Sequence, residues 1–264
     1  MRWEELTYKD FPQAVEACGA VAILPVGVIE PHGAHLPLGT DMMTAHWVAC
    51  QAAAREPAIV FPAYPWGVNH EGAHLPGAIV LERDLLFALL AAVCDEMGRN
   101  GLRKVLITSG HGGNRYLLPL FVQTLVEKRT DYVAYYCGIP STPEARQVLE
   151  TTEGGHACEG ETSTMLHLRP DLVKTGQIPE PFTSLKRNED LQRAGVYSPV
   201  DWYAMYPNMY VGDATKATAA KGQVLAGARV DALVQAIAAV KADTVTPELL
   251  AQFHRGAERP RSPY

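Results

Sequence analysis

The sequence predicts an α/β fold with a mostly parallel central sheet, and three observations carry that expectation. Short apolar runs rich in β-branched residues alternate with longer segments of helical periodicity. The first run is apolar nearly throughout rather than at every second residue, as in a strand covered on both faces. Two of the runs lead into glycine-rich loops that open onto helices. With 264 residues, 47% of them hydrophobic, the chain can bury a large core, and one domain over residues 1–264 is expected.

After a short N-terminal helix, residues 19–29 (GAVAILPVGVI) form the first strand. The loop EPHGAHLPLGTD follows, and Thr40 or Asp41 can cap the helix that starts there. A second short strand is AIVFPAY at 58–64. A helix from Asp84 places Leu85, Leu86, Leu89, Leu90, Val93 and Met97 at helical spacing and stops at Asn100 and Gly101. The third strand, 104–108, runs into SGHGGN, where Asn114 can cap a helix ending near Lys128; a strand at 132–136 comes next. A polar stretch spans 142–155, a short helix spans 161–168, residues 179–206 form a long loop or flap, and a last helix spans 223–242.

Charge and cysteine content narrow the function classes. A formal charge of -6 offers no basic stripe for nucleic acid or anionic membranes, so a small molecule is the expected partner. The N-terminal segment lacks a signal-peptide apolar region, and no run approaches the roughly 20 uninterrupted apolar residues of a membrane span. A cytoplasmic protein is expected. Cys18, Cys50, Cys94, Cys137 and Cys158 are scattered and odd in number, which predicts free thiols rather than disulfides or a thiolate zinc site.

Three short segments concentrate the residues that could do chemistry. The loop after the first strand holds Glu30, His32, His35 and Asp41 within twelve residues, an oxygen and nitrogen donor set suited to Zn, Mn or Fe. If strand geometry persists, Glu30 and His32 share a face, and the two oxygens of Asp41 could bridge two cations. In SGHGGN, His111 projects at a strand end while Gly112 and Gly113 leave backbone open to a ligand. In GGHACEGETS, His156 can move a proton and Glu161 can complete a second metal. Competing uses are plain: Glu161 suits the first turn of a helix, His156 could be a structural histidine, and His35 could orient the loop. His70, Glu71 and His74 divide between substrate contact and surface loop, and Asn69 is a polar donor for the pocket. His46, His167 and His254 are expected to be structural, and Asp213 a turn residue.

Read together, PVGVIEPHGAHLPLGTD (25–41), WGVNHEGAHLPGAI (66–79), SGHGGN, GGHACEGETS, LRPDLV (168–173) and VGDATKATAAKG (211–222) resemble the creatininase (creatinine amidohydrolase) family. The resemblance implies a three-layer αβα sandwich with a mostly parallel central sheet, assembled as a homo-oligomer, usually a hexamer. It further implies two divalent metal ions, zinc first with manganese or iron as alternatives. Carried over, Glu30 and His111 hold one ion, His32 and Glu161 the other, and Asp41 bridges them. Creatininase itself takes an acidic ligand where this chain has Gly113, and other members use the ETS glutamate instead.

The expected reaction is hydrolysis of a C–N bond in a small cyclic or linear amide by metal-activated hydroxide, with His156 protonating the leaving nitrogen. The pocket is expected to include His35, Asn69, His70, Gly112 and Gly113. Creatinine is a poor fit. Creatininase lines its substrate lid with tryptophans upstream of the matching histidine, and residues 132–156 contain none. Two other functions stand beside this one: C–C hydrolysis opening a cyclic diketone of inositol breakdown (3-dehydro-scyllo-inosose type), and non-catalytic metal or ligand binding on the same fold.

Overall fold

The computed structural model describes residues 1–138, 142–152 and 154–260. In chain order the elements are α1 (Phe11–Ala17), β1 (Val21–Val26), α2 (Thr40–Arg55), β2 (Ile59–Val60), α3 (Arg83–Arg99), β3 (Lys104–Ser109), α4 (Asn114–Thr124), β4 (Val133–Gly138) and α5 (Pro143–Arg146). Then follow β5 (Gly154–His156), α6 (Glu159–Leu168), α7 (Glu189–Arg193), α8 (Asp201–Met205), β6 (Val211–Gly212), α9 (Ala219–Ala242) and α10 (Val245–Glu258).

Four strands make one all-parallel sheet in the order β2-β1-β3-β4. The alternation of β1 fills both faces. Ala22, Leu24 and Val26 meet Leu90, Cys94 and Met97 of α3 and Leu118 and Phe121 of α4. Val21 and Ile23 meet Val48, Ala49 and Ala52 of α2 and Leu233 and Ile237 of α9. Two helical layers therefore enclose the sheet, and every residue of β1 is buried, which is why it reads as a continuous apolar run. Each fully buried Leu or Ile here contributes about 1.5–3 kcal/mol by leaving water. β5 and β6 form a separate antiparallel pair with a bulge, extended by a bridge from Phe182 to Gly212.

Several expectations need correcting. β1 stops at Val26, so Glu30 and His32 do not share a face by continuing the strand. Instead the loop folds on itself, Glu30 N donating to Leu38 O at 3.0 Å and His32 bridging Leu36. Neither Thr40 nor Asp41 caps α2. Gly39 occupies that position, Thr40 Oγ1 donates to Pro37 O, and Asp41 turns inward. Nor does Asn114 cap α4: its side chain bridges Val68 N and Ser109 Oγ. The helix itself ends at Thr124, with a 3-10 turn at Leu125–Glu127.

α6 and α9 begin two and four residues earlier than expected, and the segment at 179–206 contains α7 and α8. α10 was not expected at all. It buries none of its residues, its stripe of Val245, Leu249 and Phe253 staying exposed, and Asp243 Oδ1 accepts from Val245 N and Thr246 N as a helix-start residue does. Among the described residues, α9 alone is long and apolar enough to cross a membrane. Here it packs against α2, α6 and the sheet.

Candidate metal centre

The parallel strands β1, β3 and β4 end level, at Val26, Ser109 and Gly138. Ligand sites of open α/β sheets gather at such carboxyl ends. Two glycines bring α2 directly over them. A Cβ on Gly27 would lie 2.3 Å from Met42 backbone, and one on Gly110 would lie 2.2 Å from Asp41 O. Only glycine admits that approach, and it delivers Asp41 between the first loop and His111.

Three carboxylates and three histidines converge there. Glu30 and His32 are wholly buried, Asp41 is 3% exposed, His111 8% and His156 6%, whereas the Glu161 side chain is 24% exposed. Asp41 faces both ways: Oδ2 lies 2.9 Å from His111 Nδ1, and Oδ1 lies 3.2 Å from His32 Nε2. Glu30 Oε1 is 3.0 Å from His111 Nδ1, and Glu161 Oε2 is 3.8 Å from His32 Nε2. Candidate ligand atoms within 4.8 Å of one another come from Glu30, His32 and His156, from His32, Asp41 and Glu161, and from Glu30, Glu71 and His111.

Each histidine spends one ring nitrogen on a backbone carbonyl. His32 Nδ1 donates to Glu30 O (3.1 Å), His111 Nε2 to Val68 O (2.8 Å) and His156 Nε2 to Pro31 O (2.7 Å). That fixes the neutral tautomers so that the lone pairs of His32 Nε2, His111 Nδ1 and His156 Nδ1 face carboxylate oxygens. Lone pair against carboxylate is repulsive unless a proton or a cation lies between, and a carbonyl-pinned imidazole is the usual arrangement of a metal ligand. Glu30 makes the same point. Both its carboxylate oxygens are buried without a hydrogen bond, a state that costs several kcal/mol unless a cation compensates it. The donor set therefore fits divalent metal.

The titration shifts follow from the same crowding. Burial disfavours the charged form of His32, but Asp41, Glu161 and Glu30 outweigh it and hold the pKa up at about 9. Burial also opposes charging of His111, which Glu30 and Asp41 nevertheless hold well above its ordinary value. Burial pushes His156 down, and neighbouring His32 pushes the same way. Asp41, despite its burial, is held well below the usual carboxylate range by His32 and His111.

The supporting contacts explain the motifs. Ser109 Oγ accepts from His111 N and Asn114 Nδ2 and donates to His111 O, so SGHGGN folds around its own histidine. Gly113 lies against that ring, since a Cβ would sit 2.4 Å from Nε2. In the third motif Ala157 adopts φ +54°, and its N–H donates to Glu161 Oε2 at 2.6 Å. Glu161 is thus a helix-start acid and a neighbour of His32 at once. Glu159, two residues earlier, is more buried yet takes no part in the centre: Lys221 Nζ lies 2.5 Å from it, and Thr151 hydrogen-bonds it.

A cavity of about 470 Å³ opens beside the centre and is lined in part by His111, Gly112, Gly155 and Glu161. Of the other residues expected in the pocket, His35 is 1% exposed, with Nε2 on Thr162 Oγ1 (2.8 Å) and its ring beside Tyr210; it braces the loop from behind. Asn69 is buried and donates to Ile29 O, while His70 is exposed; neither lines the cavity. A cavity of about 530 Å³ lies at the amino ends of β3 and β4 beneath α10 and touches none of the centre.

Two approaches to the centre go beyond the sequence reading, which leaves Glu71 between substrate contact and surface loop. Glu71 Oε1 comes within 3.8 Å of His111 Nε2, and Trp202 of α8 packs edge-on against His156 at 5.8 Å. Both arrive by tertiary approach, with His74 Nε2 donating to Pro207 O across the two loops. His46 and His167 pack on Cys50 and Trp47, and Asp213 accepts from Thr215 N as a turn residue. The cysteines are free.

A three-layer α/β fold carrying clustered carboxylates and carbonyl-pinned histidines at its strand ends defines a metal-dependent hydrolase. The family model for creatininase, described as creatinine amidohydrolase, matches residues 4–237, and the chain belongs to that family. A mycofactocin precursor peptide peptidase of Mycobacterium tuberculosis is 31% identical over 237 residues, covering 82% of this chain and 84% of the relative. The creatinine amidohydrolase of Pseudomonas putida is 26% identical over 66% of this chain and 74% of its own. A crystal structure of creatininase superimposes with a TM-score of 0.78 at 25% identity, covering 92% of this chain and 98% of that one. Solved creatininases include a Zn-Zn type and a Mn form.

Proposed function

We propose that residues 1–264 act as one hydrolase domain that cleaves a C–N bond in a small cyclic or linear amide other than creatinine, using two divalent ions, zinc first. The buried carboxylate of Glu30 carries this reading, because neither oxygen makes a hydrogen bond and the groups facing it are the ring nitrogens of His111, His32 and His156. Glu30 and His111 would hold one ion and His32 and Glu161 the other, with one oxygen of Asp41 turned to each. Ions bound there supply Lewis acidity, lowering the pKa of water toward about 7 and polarising a carbonyl.

The chain's own groups do the rest. His156 is kept neutral by burial, and its Nε2–H is committed to Pro31 O, so Nδ1 is the atom that accepts a proton and returns it to the leaving nitrogen. The open backbone at Gly112, on the cavity wall, admits the scissile group close to the centre. The peptidase and amidohydrolase relatives support an amide as the electrophile.

The test is a substrate panel run on zinc-loaded protein and on protein stripped by chelator, containing formamides, lactams, short peptides and a cyclic polyhydroxy diketone. Turnover of an amide, abolished by stripping and restored by zinc, is expected. Activity confined to the diketone would replace C–N by C–C cleavage.

A further inference from the structure

The wall of the cavity beside the centre carries charge that nothing in the metal reading uses. Arg115 of α4, Arg146 of α5 and Arg229 of α9 all line it, and the one carboxylate on the described lining is Glu161, which the proposed function commits to metal. Many other arginines of this chain, whose net charge is -6, sit on acids, among them Arg55 on Asp231 at 2.6 Å, Arg99 on Glu96 at 2.6 Å and Arg169 on Asp171 at 2.7 Å. Among the described residues, no such ion pair forms at any of the three cavity arginines.

Arg229 is the least compensated. Its Nε is sealed from solvent and makes no hydrogen bond. Burial pushes its guanidinium below its usual value, and Arg146 is close enough to add to the fall, while Glu161 and Asp41 oppose it. Arg115 is held over the cavity mouth by donating Nη1 to Gly112 O at 3.0 Å and by stacking on Tyr116 at 4.6 Å. A half-buried guanidinium with a sealed, unpartnered Nε is costly, and its planar fork of donors matches the paired oxygens of a carboxylate or phosphate.

Resting on the hydrolase reading, we propose that the substrate is an anionic amide whose carboxylate or phosphate is bound by Arg229 and Arg146, with Arg115 at the rim, while its amide lies at the metal centre. The cavity, at about 470 Å³, has the size of a small-molecule site. An anion held there stands beside the cluster without competing for it, which separates the group that is recognised from the bond that is cut.

The experiment pairs N-acetyl substrates with and without an anionic group: N-acetylglycine with N-acetylglycinamide, and N-acetylaminoethyl phosphate with N-acetylethanolamine, on zinc-loaded protein, with cleavage scored by acetate release. The anionic member of at least one pair is expected to have a kcat/KM larger by roughly tenfold to a hundredfold, the scale of hydrogen bonds to a charged group. Arg229→Met should collapse that ratio, mainly through KM, and Arg229→Lys should restore part of it. Arg146→Met, at an exposed position, should reduce the ratio without threatening the fold.

A second arm measures N-acetylglycine and inorganic phosphate binding to metal-free protein by calorimetry. Binding that weakens in Arg229→Met supports the anion site even where no amide in the panel is turned over, an outcome that would count against the hydrolase reading alone. The pair that shows the effect identifies carboxylate or phosphate. Equal kcat/KM within both pairs, or no binding of either anion to wild type, overturns the proposal.

Discussion

The two halves of the centre are built on different principles. Glu30, Asp41 and His111 hang from the level ends of β1 and β3 and from the first turn of α2, which two glycines seat directly on the sheet. That half is nearly sealed, 8% exposed at most, and of its three residues His111 alone lines the cavity. His156 and Glu161 come instead from a two-stranded antiparallel pair and the start of α6, joined through a left-handed Ala157, and Glu161 opens onto the cavity. His32 stands between the halves. The first half concentrates the buried carboxylates Glu30 and Asp41; the second sets Glu161 on the cavity wall with His156 buried beside the cluster.

Asp41 joins the halves, so Asp41→Ala should have the largest effect. Bound metal should fall to none in elemental analysis while circular dichroism still reports the fold. A variant that keeps one ion would show that the halves bind independently.

His156→Ala separates chemistry from metal binding. Metal content is expected to stay at the wild-type level while kcat falls by roughly 10²–10⁴, the range of lost general acid–base catalysis. Loss of an ion would move His156 into the ligand set, and wild-type turnover would remove it from the reaction.

A smaller effect is the pH dependence of metal affinity. In metal-free protein the carboxylates hold the His32 imidazolium up to about 9 and His111 well above its ordinary value, so near pH 7 both carry protons that a metal must displace. Affinity should therefore rise from pH 7 toward 9, by up to about tenfold per pH unit for each proton released. Chelator competition at several pH values measures it, and a flat profile would mean that neither histidine gives up a proton to the metal.

Both halves were legible as motifs, His156 and Glu161 in GGHACEGETS included, but the first was the more directly so. Glu30, His32 and Asp41 lie within twelve residues because a single strand-to-helix connection supplies them, and His111 sits in an equally local strand-to-helix turn. Periodicity and turn residues report such connections directly. The route differed from expectation, since Glu30 and His32 converge through a loop folded on itself rather than along β1. Glu71, Trp202 and the bridging role of Asn114 depend on which distant loops touch, and no spacing in the chain encodes that. α10 was missed although Val245, Leu249 and Phe253 recur every four residues: all three stay exposed, so that stripe marks no core.

The most direct test of a two-metal centre shared between these halves is the ion count per chain in untreated wild type and in Glu161→Ala. Two ions falling to one are predicted, because Glu161 serves only the open half. Two ions in both proteins would contradict its assignment as a ligand, and fewer than two in wild type would contradict the two-metal centre itself.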